Sequence, residues 1–333
     1  MITARCFHSI IFNSQSSVGH VNDILKFSSG IMTVVVTLAE KLTKQRSQME
    51  TWRLLEQMGM DHGCNFGLLN QTTFNRVLRR FSIKFWLYLI LSSAIEVRVM
   101  SGIGYNIQWM NFWAYNIYPS TFCRLLHLSH MLQIDFLAEN VKVLAQNLID
   151  LKDTMNDGPA HCNEYSTGHD TLLQVGVSRL LDSKKVYGVL WKICTVINEL
   201  FTWSQVFNIT SNFIQLSCDL YWVMIDFIRK AQFIEEVLEL AMCLVPAPVI
   251  IMMLLQSADH CKFLSSNVGP LLHEIPKHGY PELYEVVFYY SMQIDQQPIK
   301  LAVYDLMNID YTLLIRIAIG IATYMVIFIQ LSI

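Results

Sequence analysis

Six long stretches of mostly apolar residues follow one another along the chain, separated by segments rich in charged and polar residues. A helix rises about 1.5 Å per residue, so about 20 apolar residues are needed to cross about 30 Å of hydrocarbon. None of the stretches alternates apolar and polar residues at a period of two, which argues against strands. The pattern therefore predicts an all-α fold, a polytopic membrane helix bundle forming a single domain over residues 1–333. The predicted spans are 24–42, 83–100, 117–137, 197–221, 237–258 and 311–333.

The third predicted span is the most polar of the six. Arg124, His127, His130 and Asp135 interrupt it. The two histidines are three residues apart and share a helix face, whereas the step from His130 to Asp135 does not. A metal site or a proton relay is one hypothesis, and the lining of a polar cavity inside the bundle is the one that this spacing favours.

The fifth and sixth predicted spans are the most apolar. In the fifth, Pro246 and Pro248 predict a kink, because proline removes a backbone donor and clashes with the preceding turn. In the sixth, residues 317–333 carry no charged side chain.

Composition supports a membrane protein and excludes several other classes. Of 333 residues, 53% are hydrophobic and only 15% are charged, whereas about a quarter of a soluble domain is charged. The 24 Lys and Arg residues are scattered and form no basic stripe, so we expect no nucleic-acid partner. The eight cysteines contain no C-x-x-C pair, and no catalytic motif occurs. We therefore expect no enzyme activity, no metal site and no cofactor.

The loops between the spans predict an orientation. Eight basic residues lie between positions 41 and 84, in the first loop and the span ends that flank it, whereas residues 101–123 contain none and are rich in Trp and Tyr. Basic loops stay in the cytoplasm and aromatic residues gather at the membrane interface. This places the loop 138–190 in the cytoplasm and both ends of the chain outside. The polar part of this loop, 150–185, is expected to be partly disordered. Flanking segments such as 139–151 have helical periodicity, so we expect the third and fourth helices to extend well past the membrane.

The last span carries the most specific motif. Thr323 and Tyr324 are followed by five apolar residues, then by Gln330 and Leu331. This run resembles the C-terminal signature of insect gustatory receptors, which has Thr-Tyr, five apolar residues and Gln-Phe. Leu331 stands where Phe is usual. The resemblance is specific over residues 289–331 and looser, by the order of spans and loops, over the rest of the chain.

The resemblance implies a seven-span receptor with a cytoplasmic N-terminus and an extracellular C-terminus. The six visible spans would match family spans two to seven, so we expect the first to be truncated or degenerate. It further implies a tastant-gated, non-selective cation channel subunit in the plasma membrane of chemosensory neurons. Such a subunit would contact membrane lipid and assemble as a homo- or hetero-tetramer with related subunits. Bitter compounds or other contact chemical cues are the expected ligands.

In the family, the last helix lines a central pore. Residues four apart share a helix face, so four copies would give an apolar ring beside a ring of neutral amides, as suits a weakly selective cation pore. The alternative is that Gln330 hydrogen-bonds a neighbouring helix. The predicted pore-lining residues are Val326, Ile327, Gln330 and Leu331.

Thr323 and Tyr324 are predicted to couple the pore helix to the rest of the bundle. The Tyr324 hydroxyl would donate a hydrogen bond between helices. The alternative for Tyr324, an anchor at the membrane interface, is less suited to its place inside an apolar span.

Aromatic side chains with a few amides suit a small amphipathic ligand. Asn208 and Asn212 lie four residues apart on one face within a span, where amides must find polar partners. The predicted ligand contacts are Trp109, Trp113, Trp203, Gln205, Asn208 and Asn212.

Three alternatives stay open at this point. A receptor coupled to G proteins would place its C-terminus inside, usually with a cytoplasmic tail. A small transporter should show inverted repeats and broken helices, of which only the Pro246–Pro248 break fits. A truncated, non-functional receptor is the third.

Overall fold

The computed structural model describes residues 17–50, 53, 54, 56, 71–102, 107–157, 167–229, 242, 244–276, 281–303 and 307–332. These residues are almost entirely helical, so the predicted all-α helix bundle is confirmed. The helices with described bounds are α1 (Ser17–Thr43), α2 (Gln71–Gly102), α3 (Ile107–Asp157), α4 (Thr167–Leu200), α5 (Thr202–Arg229), α6 (Pro246–His273), α7 (Pro281–Gln296) and α8 (Tyr311–Ser332). A short hairpin between α7 and α8 consists of β1 (Ala302–Val303) and β2 (Met307–Asn308).

α3 organises the bundle. It is 51 residues long and contacts α1, α2, α4, α5 and α6, most extensively α6. Its C-terminal half buries apolar side chains at intervals of three and four residues, which places them on one helix face. Those side chains are Val141, Leu144, Leu148, Leu151 and Met155. The stripe anchors the main hydrophobic core, to which α4, α6 and α7 also contribute.

Helices occupy most of the polar segment 150–185, into which the flanking helices were expected to extend. α3 continues through Asp157, and α4 begins at Thr167. Polar residues dominate the composition here, but they occupy the solvent side of helices whose other side is buried, as Leu151 and Leu180 are. Residues 158–166 lie outside the described residues.

The predicted fourth span, 197–221, is divided between two helices. α4 ends at Leu200 and α5 begins at Thr202. The Glu40 carboxylate of α1 accepts hydrogen bonds from the backbone N–H groups of Trp203 (3.0 Å) and Ser204 (2.7 Å). These donors have no partner within α5, since the first N–H groups of a helix are left unpaired.

The proline pair of the fifth predicted span lies at a helix start. Leu244 and Val245 are not helical, and α6 begins at Pro246. Proline suits a first helical position, because the N–H that it lacks would be unpaired there. The interruption therefore takes the place of the predicted kink, while the upstream part of the span, 237–241, lies outside the described residues.

The connector between α7 and α8 is fastened to α4 by side chains. β1 and β2 pair antiparallel, with Ala302 opposite Asn308. Asn198 of α4 donates through Nδ2 to the Lys300 carbonyl (2.8 Å) and accepts at Oδ1 from the Ala302 N–H (3.3 Å). The Tyr187 hydroxyl donates to the Gln297 carbonyl at 3.1 Å.

Within the described ranges, none of the helices has both the length and the apolar content of a membrane span.

Candidate functional site

α8 has two different faces. Leu313, Ile321 and Met325 are buried, and the helix packs against α5 and α6. The opposite face presents exposed apolar side chains: Ile315, Ile319 and Val326 are four and seven residues apart and share one helix face, and Ile327 lies beside Val326. An exposed apolar stripe of this length indicates a surface that meets something other than water.

The predicted pore-lining residues fall on this exposed face. Val326 and Ile327 are 54% and 49% exposed, and Gln330 is exposed beside them. The side chain of Leu331 lies outside the described residues. Thr323 is exposed too, and its hydroxyl donates to the Ile319 carbonyl of its own helix at 2.9 Å.

Tyr324 joins α8 to two other helices. Its hydroxyl donates to Asn22 Oδ1 of α1 at 3.1 Å. Its ring lies edge-on to Phe213 of α5, with centroids 6.5 Å apart. Gly320 lets Phe213 come close, because a Cβ there would lie 3.0 Å from the Phe213 ring.

A buried polar network joins α3 and α5. Gln205 Nε2 donates to His130 Nδ1 (2.8 Å), and Asn212 Nδ2 donates to His127 Nε2 (3.0 Å). Asn208 Nδ2 donates to the Cys123 carbonyl at 3.0 Å. Three of the predicted ligand contacts thus pair with α3. His127 Nδ1, His130 Nε2 and Gln205 Oε1 are buried without a hydrogen-bond partner among the described residues.

The predicted aromatic contacts lie elsewhere. Trp203 is half exposed, and its backbone N–H bonds Glu40. The side chains of Trp109 and Trp113 lie outside the described residues, although both positions belong to α3. In the described part of the chain, no three His, Cys, Asp or Glu side chains come close enough to hold a metal ion.

A cavity opens between α1, α2, α3 and α5 and reaches the start of α6. Its volume is about 40 Å³, which is room for a few water molecules. Two ion pairs line it: Lys26 with Asp219, 2.5 Å apart, and Arg124 with Glu96. Neutral polar and apolar groups complete the wall: Ser120, Ser211, Gln215, Phe27, Gly30, Ile95, Ile117, Pro119, Cys123 and Pro246.

From the sequence, Arg124 is recognised only as a charge that interrupts the third predicted span, while Lys26 and Glu96 lie near the ends of the first and second predicted spans. Their location in or near apolar spans is the signal that could have identified them. An ionisable residue within a span needs a partner and marks a functional site by default. Of the four predicted ligand contacts whose side chains are described, Trp203, Gln205, Asn208 and Asn212, none belongs to the cavity wall.

The chain is a bundle of long helices with buried polar networks and partly buried ion pairs, and one face of α8 is apolar and exposed. Such an arrangement is typical of helical membrane proteins. The model of the 7tm chemosensory receptor family matches residues 2–333, and the chain belongs to this family. It is a multi-pass membrane protein.

Relatives agree with this assignment. The chain is 22% identical to the Drosophila melanogaster protein described as "Putative gustatory receptor 2a", over 95% of this chain and 79% of that protein. The fold is similar to that of the insect olfactory receptor OR5 from Machilis hrabei. The TM-score is 0.67 for OR5 in complex with eugenol, at 10% identity, and 0.61 for a second structure of OR5, at 11% identity. Each comparison covers 99% of this chain and 86% of OR5.

Proposed function

We propose that this chain is a gustatory receptor: a subunit of a non-selective cation channel in the plasma membrane of chemosensory neurons, opened by a contact chemical such as a bitter compound. The observation that carries the proposal is the exposed face of α8, where Val326, Ile327 and Gln330 lie together. Four copies of this face around an axis would form an apolar constriction next to a ring of amide oxygens.

A tetramer, of this chain alone or with related subunits, needs a contact surface beyond α8. α7 offers one, because its exposed side carries several large apolar side chains. The surface of a soluble monomer rarely presents such side chains together. Those on α7 are Tyr284, Phe288, Tyr289 and Met292.

The cavity between α1, α2, α3 and α5 is our candidate ligand site. The buried network of Gln205, Asn208 and Asn212 lies behind it on α5 and would hold α5 in register with α3. In this arrangement Tyr324 transmits a movement of α1 or α5 to the pore helix, since it contacts both.

Thiol reactivity tests the pore. In chains carrying Val326→Cys or Gln330→Cys, a membrane-impermeant thiosulfonate should modify the new thiol. The reagent reacts with the thiolate, which forms where the side chain contacts water, and a pore residue contacts water. Ile90→Cys on α2 is the matched control: it is 65% exposed in the single chain but would face lipid, so it should stay unmodified. Labelling of Ile90→Cys alone would refute the pore assignment.

The side of the C-terminus separates this proposal from a receptor coupled to G proteins. An epitope tag placed after Ile333 should stain on intact cells. Staining that requires permeabilisation, in cells whose surface delivery is verified by biotinylation, would overturn the proposed orientation.

A further inference from the structure

Four charged side chains of balanced sign line the candidate ligand cavity, each from a different helix. Lys26 belongs to α1, Glu96 to α2, Arg124 to α3 and Asp219 to α5. All four are mostly buried, with side chains 14–16% exposed. The cavity therefore contains two positive and two negative groups and is neutral as a whole.

Such pairs need an explanation other than stability. A buried ion pair stabilises a fold no better than packed apolar residues do, because removing both charges from water offsets their attraction. Ionisable groups within membrane helices accordingly mark binding or transport sites by default. Here both pairs border one cavity, together with the polar side chains of Ser120, Ser211 and Gln215.

Arg124 donates to Ser92 Oγ as well as to Glu96, and each pair still has bonding capacity left. A guanidinium has five N–H donors, and a carboxylate accepts at about four lone-pair positions. Arg124 paired with Glu96 can therefore take a second carboxylate, and Asp219 paired with Lys26 can take a second ammonium.

We propose that the cavity binds a small zwitterion of the amino-acid class, its carboxylate on Arg124 and its ammonium on Asp219. The inference rests on the proposed receptor function and names its class of ligand. Bound in this way, the ligand completes a chain of alternating charges, Glu96, Arg124, ligand, Asp219 and Lys26, and no existing pair is broken.

Other ligand classes fit this cavity less well. A lone anion or cation would add one uncompensated charge to a neutral, partly buried site. An apolar molecule would displace water from the charged groups and give them no partner in return. The small volume favours a ligand of few heavy atoms.

Ligand binding is measured on the full chain, purified into lipid nanodiscs, as a shift of the thermal unfolding midpoint, Tm. The probes are glycine, β-alanine and γ-aminobutyrate, which carry the same two charges at increasing separation. At least one should raise Tm saturably, because a ligand that binds only the folded state stabilises it. Acetate and ethylammonium, each tested at equal ionic strength, should not raise Tm. No shift with any zwitterion, or an equal shift with either single ion, overturns the proposal.

A pair of double variants locates the site. Arg124→Met with Glu96→Gln removes one cavity pair without leaving a single buried charge, and should weaken zwitterion binding by at least about tenfold. Lys84→Met with Asp135→Asn removes a pair that joins the same two helices at 3.1 Å but lies outside the cavity wall, and should leave binding unchanged. Equal effects of the two double variants overturn the assignment. Arg124→Lys keeps the positive charge but loses the bidentate geometry of the guanidinium, so it should weaken zwitterion binding by an intermediate amount. This variant keeps the test valid if the first double variant does not fold.

Current recordings separate the two proposals. Zwitterion binding with no cation current in cells would refute the channel and leave the ligand class intact. Currents evoked by other compounds, with no zwitterion binding to the nanodisc protein, would refute the ligand class and leave the channel intact.

Discussion

The hydroxyl of Tyr324 is the group through which α8 hydrogen-bonds α1. Tyr324→Phe removes the donor and leaves Asn22 Oδ1 without this partner. A hydrogen bond between membrane helices contributes about 0.6 kcal/mol on average and up to about 2. We expect Tyr324→Phe to lower Tm of the purified chain by about 1–2 °C.

A double-mutant cycle identifies the source of that loss. The double variant Asn22→Ala with Tyr324→Phe should lower Tm by less than the sum of the two single substitutions. Once one substitution has removed the hydrogen bond, the other cannot remove it again. Tyr118→Phe is the control, since Tyr118 is exposed. Additive effects of Asn22→Ala and Tyr324→Phe would show that the hydrogen bond does not contribute.

Asp310 gives the start of α8 a dependence on pH. Hydrogen bonds from the Thr312 hydroxyl (2.5 Å) and backbone N–H (3.0 Å), with Lys262 nearby, hold the pKa of this carboxyl below its ordinary value of 3.8. A depressed pKa stabilises the fold above the unfolded-state value and loses that effect as the pH falls through the folded-state value.

The Tm difference between the wild type and Asp310→Asn should therefore be constant between about pH 7 and pH 5. It should shrink as the pH falls below 3.8. A difference that already declines near neutral pH would contradict the assignment to Asp310. Because both proteins carry every other carboxyl group, the subtraction isolates this one.

At this scale the sequence could predict which residues need partners but not which partners they find. Asn208 and Asn212 had to be paired inside a span, and each donates a hydrogen bond to α3. The partners lie 85 positions away, and no local pattern connects residues at that separation. The role of Tyr324 depends in the same way on Asn22, 302 positions away.

At the scale of elements, Glu40 fixes where α5 begins. Its carboxylate is 3% exposed, accepts from two N–H groups at the start of α5 and pairs with Lys44 at 2.7 Å. A negative charge at a helix N-terminus is stabilised by the helix dipole. Glu40→Gln keeps the shape and loses the charge, so it should destabilise the fold by about 1–2 kcal/mol.

Glu50→Gln is the matched control. Glu50 also pairs with a lysine, Lys192 at 3.5 Å, but both side chains are more than half exposed. Exposed pairs contribute about 0–1 kcal/mol. Chemical denaturation of the two variants measures the contrast, and equal destabilisation would argue against a special role for Glu40 in starting α5.

Apolar runs identified the helices but not their ends. α3 extends far beyond its predicted span, 117–137, because its later apolar residues form a stripe within a polar composition. The junction at Phe201 divides a predicted span, since Glu40, a residue of another helix, caps the second part. The hairpin before α8 has only four paired residues, too few for a pattern to predict.

At the scale of the whole molecule, the exposed face of α7 bears on assembly. Phe288→Asp places a charge among Tyr284, Tyr289 and Met292, where burying it in a subunit contact would be costly. We expect this variant to shift the purified protein from the proposed tetramer to smaller species in size-exclusion chromatography with light scattering.

Val175→Asp is the control for that experiment. Val175 is as exposed as the α7 residues, at 49%. It belongs to a different helix, α4, and is not part of the exposed apolar face of α7. An unchanged oligomeric state in Phe288→Asp, or an equal shift in Val175→Asp, would contradict the assignment of this face to assembly.

The length of α3 has a mechanical consequence. At about 1.5 Å per residue its 51 residues extend about 76 Å, more than twice the thickness of the hydrocarbon layer. One end lines the cavity through Pro119, Ser120 and Arg124, and the other carries the buried stripe that ends at Met155. Met155 lies about 50 Å along the helix from the cavity residues, so a tilt of about 5° about them would displace it by about 4–5 Å. In the proposed receptor, α3 would act as a lever that converts an ångström-scale adjustment around a bound ligand into a shift of several ångströms at its far end.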